Sequence, residues 1–398
     1  MYFIDALYGK IELDVPPEII KSPELQRLRE VRLCNINSPF ITGGTTLNRF
    51  EHAIGTAYLA QEIVKKISRN QKDQEAFIIA ALLHDIVTAP FGHSLEYLYE
   101  SLQNNNYEHA NIWQMMFSGK TVPSSRNYFV GQKLLLPHNL KQDMLIKIRD
   151  ILEMKHPLSK FLTNNIDIDN IDNVFRFAFH IGITFDRNVP LLLARDLQYQ
   201  NNELYSENAS LDHFEEWFNI RRQLYEYLLE DEGEFVAKAL LERALIECFK
   251  DNLINEFDWV LTDAAMVELI ITKGNPAAKN HIQKLMLMDF PEQRRIYFTQ
   301  DYRNIDRLLD KEKLRIINFA SNHGVLLHFI RDVNKTCRQL LIKRKNEQKA
   351  VGYLNDRYLI GLFSENMHGI KIVEDYLKNE LKIDLVGANK HASQTALF

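Results

Sequence analysis

Apolar residues recur at steps of three and four over much of this chain, a spacing that favours amphipathic helices over strands. From Phe50 to Ile67 the pattern runs through Ile54, Ala57, Tyr58, Ile63, Val64 and Ile67 and predicts one helix. The next segment, Ala76-Phe77-Ile78-Ile79-Ala80-Ala81-Leu82-Leu83, is apolar on every side, so it predicts a helix enclosed by others at the centre of a domain. Turn residues at Ser38-Pro39, Gly43-Gly44 and Asn104-Asn105-Asn106 punctuate this helical block. Phe117 to Pro157 is looser, with a loop at Thr121 to Ser125, and helical patterning returns over Ile166 to Ile183, 211 to 250 and 259 to 272. Beyond about residue 300 the texture shifts: Arg331 to Lys349 reads as a basic helix, Val351 to Leu354 and Tyr358 to Phe363 as short strands, Ile370 to Leu381 as an amphipathic helix, and Ile383 to Val386 as a last strand. The expected fold is mainly α, with a helical domain over residues 1–300 and a small α/β module over 301–398.

Composition narrows the partners. The formal net charge of -5 provides no global field for nucleic acid or an anionic membrane, so an anionic ligand needs a local basic pocket. The basic run Arg331, Lys335, Arg338, Lys343, Arg344, Lys345 and Lys349 reads as a solvated helix face, with phosphate binding as the alternative. Nucleic acid is left open on that basis. Cys34, Cys248 and Cys337 are few, scattered and odd in number, which fits a reducing compartment and leaves no thiolate metal site. The N-terminus lacks a basic stretch leading into an apolar one, and no apolar run approaches the roughly 20 residues of a membrane span. A cytoplasmic protein is expected.

Four histidines, His52, His84, His93 and His109, fall in the first helical block, and Asp85 follows His84. Imidazole with carboxylate and no thiolate suits Fe, Mn, Zn or a similar first-row ion. The segment from Asn48 to His52 opens one helix, Leu83-His84-Asp85 closes the next, and Asp167 to Asp172 opens a third, so three helix ends are placed to converge on one cation. Each residue alone has a plainer role: His52 and His84 as hydrogen-bonded core histidines, Asp169 as a helix N-cap, Arg49 and Arg221 as ion-pair partners, His93 as an orienting group.

Several ordered blocks resemble the HD-domain phosphohydrolases, and within them the deoxynucleoside triphosphate triphosphohydrolases, the branch of the SAM- and HD-domain enzymes and bacterial dGTPases. They are Asp5-Ala6-Leu7-Tyr8-Gly9, Ser22 to Arg29, Asn48 to Gly55, Leu83 to His93, Tyr107-Glu108-His109 and Ile166 to Asp172. The resemblance implies that His52, His84, Asp85 and Asp169 ligate a divalent transition metal (Fe, Mn, Zn, Co or Ni), with a second Mg or Mn held partly by Asp85 and substrate phosphate. It implies Arg49 and Arg221 as phosphate contacts, and His93, His109 and Glu96 as an outer acid group in which His93 protonates the leaving 5′-oxygen. It implies too a homo-oligomer, a nucleotide activator, and a C-terminal module that regulates or oligomerises.

The resemblance breaks on the substrate side. Asn173 and Phe177 stand where the branch carries a sugar-stacking tyrosine and an aspartate for the 3′-hydroxyl, and Asn170 stands in place of a phosphate-binding lysine. Thr88 replaces a second histidine of the HD loop, Leu33 a glutamine and Leu229 a tyrosine. The leading expectation is hydrolysis of a deoxynucleoside triphosphate to nucleoside and triphosphate. Two alternatives stand beside it: an HD phosphodiesterase or nucleotidase for another, cyclic or signalling, nucleotide, and a nucleotide-sensing oligomeric regulator with a vestigial metal site. The last would be marked by a missing ligand, and none is missing.

Overall fold

The computed structural model describes residues 1–96, 98, 140–200, 203–205, 211–344 and 347–387; His109 and the loop 121–125 lie outside the described residues. The chain opens with an antiparallel hairpin, β1 (Tyr2–Asp5) and β2 (Gly9–Glu12). Helix α1 (Arg49–Ile67) starts behind Asn48, whose side chain accepts the Glu51 N–H. Helix α2 (Gln71–Leu83) is buried from Ala76 to Leu83 and ends on His84, as an all-apolar helix among neighbours should. Helix α3 (Ile168–His180) starts behind Asp167, and α1 packs against both α2 and α3.

Helices α4 (Leu211–Glu230) and α5 (Glu232–Lys250) are split at Asp231, whose carboxylate accepts the N–H groups of Gly233 and Glu234 and so starts the second helix. Helices α6 (Asp263–Lys273) and α7 (Pro276–Leu287) complete the bundle. Four strands then form an antiparallel sheet in the order β8-β3-β7-β4: β3 (Gln293–Thr299), β4 (Leu326–Asp332), β7 (Arg357–Ser364) and β8 (Val386–Gly387). Side chains alternate across β7 with the period of two that strands impose. Ile360 and Leu362 pack with Ile316 and Ile370 from α8 (Tyr302–Asn322) and α9 (Met367–Asp375), whereas Leu359 and Phe363 join the main helical core. The sheet is docked on α5, where Phe235 meets Phe363 edge to face at 5.6 Å and Glu242 accepts from Lys313 and His328 at 2.8 and 2.6 Å.

The mainly α architecture with a small sheet module matches the expectation. The basic helix read over Arg331 to Lys349 is wrong. That stretch is the end of β4, a loop, and a hairpin of β5 (Leu340–Arg344) and β6 (Glu347–Val351). Leu340 and Ile342 are 1% and 0% exposed while Leu341 is 49% exposed, a strand alternation too short to stand out among the lysines and arginines. The strand expected over 351–354 stops at Val351, because the chain turns at Gly352 with φ +75°.

Candidate functional site

Three helix ends meet, and their caps decide which side chains face inward. Asn48 caps α1, leaving His52 one turn in on the buried face. The α2 helix stops at His84, whose Nδ1 donates back to the Ala81 carbonyl at 2.7 Å. Asp167 caps α3 by accepting the Asn170 N–H at 2.7 Å, which releases Asp169 from the capping role it might equally have filled.

The result is a tight cluster of donor atoms. His52 Nε2 lies 3.2 Å from His84 Nε2 and 2.9 Å from Asp169 Oδ1, and Asp169 Oδ1 is 3.6 Å from His84 Nε2. Asp85 Oδ2 closes the set at 3.9 Å from His52 Nε2 and 3.6 Å from His84 Nε2. Nδ1 of His52 is turned to Asp172 at 2.7 Å and Nδ1 of His84 to the Ala81 carbonyl, so both Nε2 atoms face one point. Nitrogens and carboxylate oxygens so close need a positive charge among them, a proton or a metal cation that displaces it. Burial pulls the His52 imidazole down, yet Asp169 and Asp172 outweigh it and push it up to about 10. His84 is raised in the same sense, against burial, by Asp85 and Asp169. Burial would raise Asp85 and Asp169, but Arg49 with the two histidines holds the first below its ordinary range, and the two histidines hold the second well below. His52, His84 and Asp169 offer ligand atoms that all lie within 4.8 Å of one another, a set that fits a divalent cation, with Asp85 beside it paired to Arg49.

Around it runs a supporting shell of which Asp172 and Arg176 were not foreseen. Arg176 is fully buried and grips Asp172 through Nε at 2.8 Å and Nη2 at 2.9 Å, while its Nη1 reaches Asp5 at 3.0 Å and Glu51 at 2.6 Å. The 172/176 spacing of four was a legible signal for one helix face. Only glycine fits opposite: a Cβ on Gly55 would stand 2.0 Å from Arg176 Nη2 and 2.1 Å from Asp172 Oδ2. The segment after His84 is pinned by backbone carbonyls, with Arg27 donating to Ile86, Thr88 and Leu261 and the Trp259 indole to Val87. Arg27 and Trp259 were equally invisible in the sequence.

Arg49 Nη1 pairs with both oxygens of Asp85 at 2.8 Å, so in this structure it is an ion-pair partner beside the cluster. Thr88 donates to Asp85 Oδ1 at 2.9 Å. His93 Nδ1 meets Glu96 Oε2 at 2.7 Å, with the imidazole exposed and the carboxylate buried. A cleft of about 1070 Å³ joins the cluster to Arg49, His93, Asn173, Phe177 and Arg221. Asp169, Asn173 and Phe177 all line it, as residues four apart on one helix face should. Glu96 is not among the lining residues, and Phe177 sits against Gly44.

A helical bundle thus brings the HD pair of one helix end to a histidine and an aspartate from two others, and His52, His84 and Asp169 form a candidate metal site. Residues 49–125 match the HD domain family model. It is 24% identical over 280 residues to an uncharacterized protein of Methanocaldococcus jannaschii, covering 68% of this chain and 55% of that one. Identity to an uncharacterized protein of Mycoplasma pneumoniae is 21% over 411 residues, covering 99% and 92%. The human deoxynucleoside triphosphate triphosphohydrolase is 25% identical over 256 residues, covering 56% of this chain and 40% of the human protein. The chain therefore spans about half the length of the first and third of these relatives. A phosphohydrolase crystal structure from Bacteroides thetaiotaomicron shares the fold, with a TM-score of 0.66 at 16% identity over 92% of this chain and all of that one. Among the described residues no helix is long and apolar enough to cross a membrane.

Proposed function

We propose that the chain hydrolyses deoxynucleoside triphosphates to nucleoside and inorganic triphosphate, using a divalent transition metal held by His52, His84, Asp85 and Asp169. The observation that carries this reading is the convergence of two imidazole Nε2 atoms and two carboxylates at one end of a nucleotide-sized cleft. When bound, such a cation supplies Lewis acidity, lowering the pKa of water and offsetting phosphate charge. Asp172 and the Ala81 carbonyl hold both imidazoles in the ligating tautomer. Arg49 lines the cleft beside Asp85, and its buried Nε has no hydrogen-bond partner among the described residues, leaving a donor that a phosphate oxygen would satisfy. With Nδ1 turned to Glu96, His93 presents Nε2 as the group that returns a proton to the leaving 5′-oxygen.

A second reading, an HD phosphodiesterase or nucleotidase, is favoured by one feature. After Asp169 the cleft-lining residues of α3 are Asn170, Asn173, Val174 and Phe177, which offer no charge to a sugar or phosphate. Incubating the metal-loaded protein with each nucleotide and resolving the products by ion-exchange chromatography separates the two. Inorganic triphosphate as co-product supports the first; phosphate, pyrophosphate or an opened cyclic nucleotide supports the second. No product from any nucleotide would overturn both.

A further inference from the structure

Arg221 is 2% exposed, yet its Nε and Nη1 have no hydrogen-bond partner among the described residues and the side chain lines the cleft. Leaving buried guanidinium donors unmatched is costly, and the flat ring of Tyr225, 4.3 Å away, offers them no acceptor oxygen in line. The third nitrogen, Nη2, donates to the Asn334 carbonyl at 3.1 Å. That same oxygen accepts from Arg338 Nε at 3.2 Å, because Asn334 adopts a left-handed φ of 54° and its N–H is held by Asp356. One neutral carbonyl thus gathers two like-charged guanidinium groups.

Arg338 also reaches Asn165 O at 2.6 Å and Asn170 Oδ1 at 3.4 Å, placing it beside the residue that follows Asp169. Neither Arg221 nor Arg338 is paired with a carboxylate among the described residues. Other cations on this wall are neutralised: Lys313 by Glu242 at 2.8 Å and Arg331 by Asp306 at 2.9 Å. Asp332, at the start of the loop, is taken by Arg357 at 3.0 Å. Lys335, from the same loop, lines the cleft as well.

We propose that Lys335 and Arg338, from the β4–β5 loop of the sheet module, extend the phosphate contact expected of Arg221 into a subsite for a run of phosphates beside the candidate metal centre. The unmatched Nε and Nη1 of Arg221, the remaining Nη2 of Arg338 and an ammonium group suit an anion of several adjacent charges, since a single carboxylate would satisfy only one of the three side chains. Its role in catalysis rests on the nucleotide reading above; its chemistry does not. Inorganic triphosphate, titrated calorimetrically into the metal-loaded protein, is the probe. Arg338→Ala and Lys335→Ala should each weaken binding about tenfold or more with metal content unchanged, and Arg338→Lys, which keeps the charge but loses the fork, should fall between. With a nucleotide substrate, KM should rise by a similar factor and kcat fall less. Wild-type affinity in all three variants, or no triphosphate binding by the parent at about 1 mM, would overturn the proposal. If the variants lose triphosphate but no deoxynucleotide is hydrolysed, the subsite stands and the substrate assignment falls. If deoxynucleotides are hydrolysed and the variants bind triphosphate as the parent does, the substrate assignment stands and the subsite falls.

Discussion

Replacing Gly55 by alanine should destabilise this protein, although the same change in most helix interiors is favourable by about 1 kcal/mol. The new Cβ would fall 2.0 Å from Arg176 Nη2 and 2.1 Å from Asp172 Oδ2, distances no side-chain contact tolerates. Both groups are fully buried, and Arg176 is further tied to Asp5 and Glu51, so neither can simply swing into water. Relief requires that the paired contacts of 2.8 and 2.9 Å open. Breaking a buried ion pair costs about 3–5 kcal/mol. Subtracting the helix gain leaves a net loss of about 2–4 kcal/mol. The damage passes to the metal centre, because Asp172 is what orients His52 through Nδ1. Loss of such outer partners weakens metal affinity about 10–100-fold. Urea denaturation of the metal-free proteins measures the first effect, and competition with a chelator for the loaded metal measures the second. A Gly55→Ala protein as stable as its parent, with undiminished metal affinity, would show that the Asp172–Arg176 pair does not support the site.

Asp169→Ala should abolish hydrolysis and lower metal content, whereas Asp167→Ala should cost about 1 kcal/mol of helix capping and leave most activity; equal mild effects on turnover would remove Asp169 from the ligand set. Because Phe177 gives a 3′-hydroxyl no acceptor, 2′,3′-dideoxynucleoside triphosphates should be turned over within about tenfold of their deoxy counterparts, and a loss of about a hundredfold in kcat/KM would show that the hydroxyl is still read. A pH effect is expected away from the metal. Burial first, and then Arg243, depress His281 to about 4 from its ordinary 6.5, and its Nδ1 lacks a hydrogen-bond partner among the described residues. Above pH 6.5 both folded and unfolded chains hold this imidazole neutral; as pH falls toward about 4 the unfolded chain takes the proton first and stability is lost. Denaturation curves of the parent and His281→Phe across that window should differ by about 2 kcal/mol more at the acid end, and parallel curves would refute the assignment.

The candidate cluster was legible because its residues sit at helix ends with local signatures: Asn48 and Asp167 are caps, and His84 follows a run apolar on every side. Periodicity located those ends, and the HD pair marked the chemistry. Which of Asp167 and Asp169 caps α3 was not legible, since either residue type serves; the backbone settles it by turning the Asp167 oxygens to Asn170 and Asn164. The wall of the cleft was hidden for a different reason. Arg221 and Arg338 meet at Asn334, across 113 residues in one case, and no local pattern encodes such a contact. The same basic stretch misled the secondary-structure reading, because Leu340 and Ile342 give only one full alternation before the hairpin turns.

The cleft draws its two ends from distant parts of the chain. One end is written in the segments around His52, His84 and Asp169, while Arg338, which touches Asn170 from 168 residues away, belongs to the loop between β4 and β5. A chain arranged in this way can be re-addressed by changing one loop. Residues between Val333 and Arg338 line the cleft without touching His52, His84 or Asp169, so on the reading proposed above substitutions there would change what is bound and leave the candidate metal site intact.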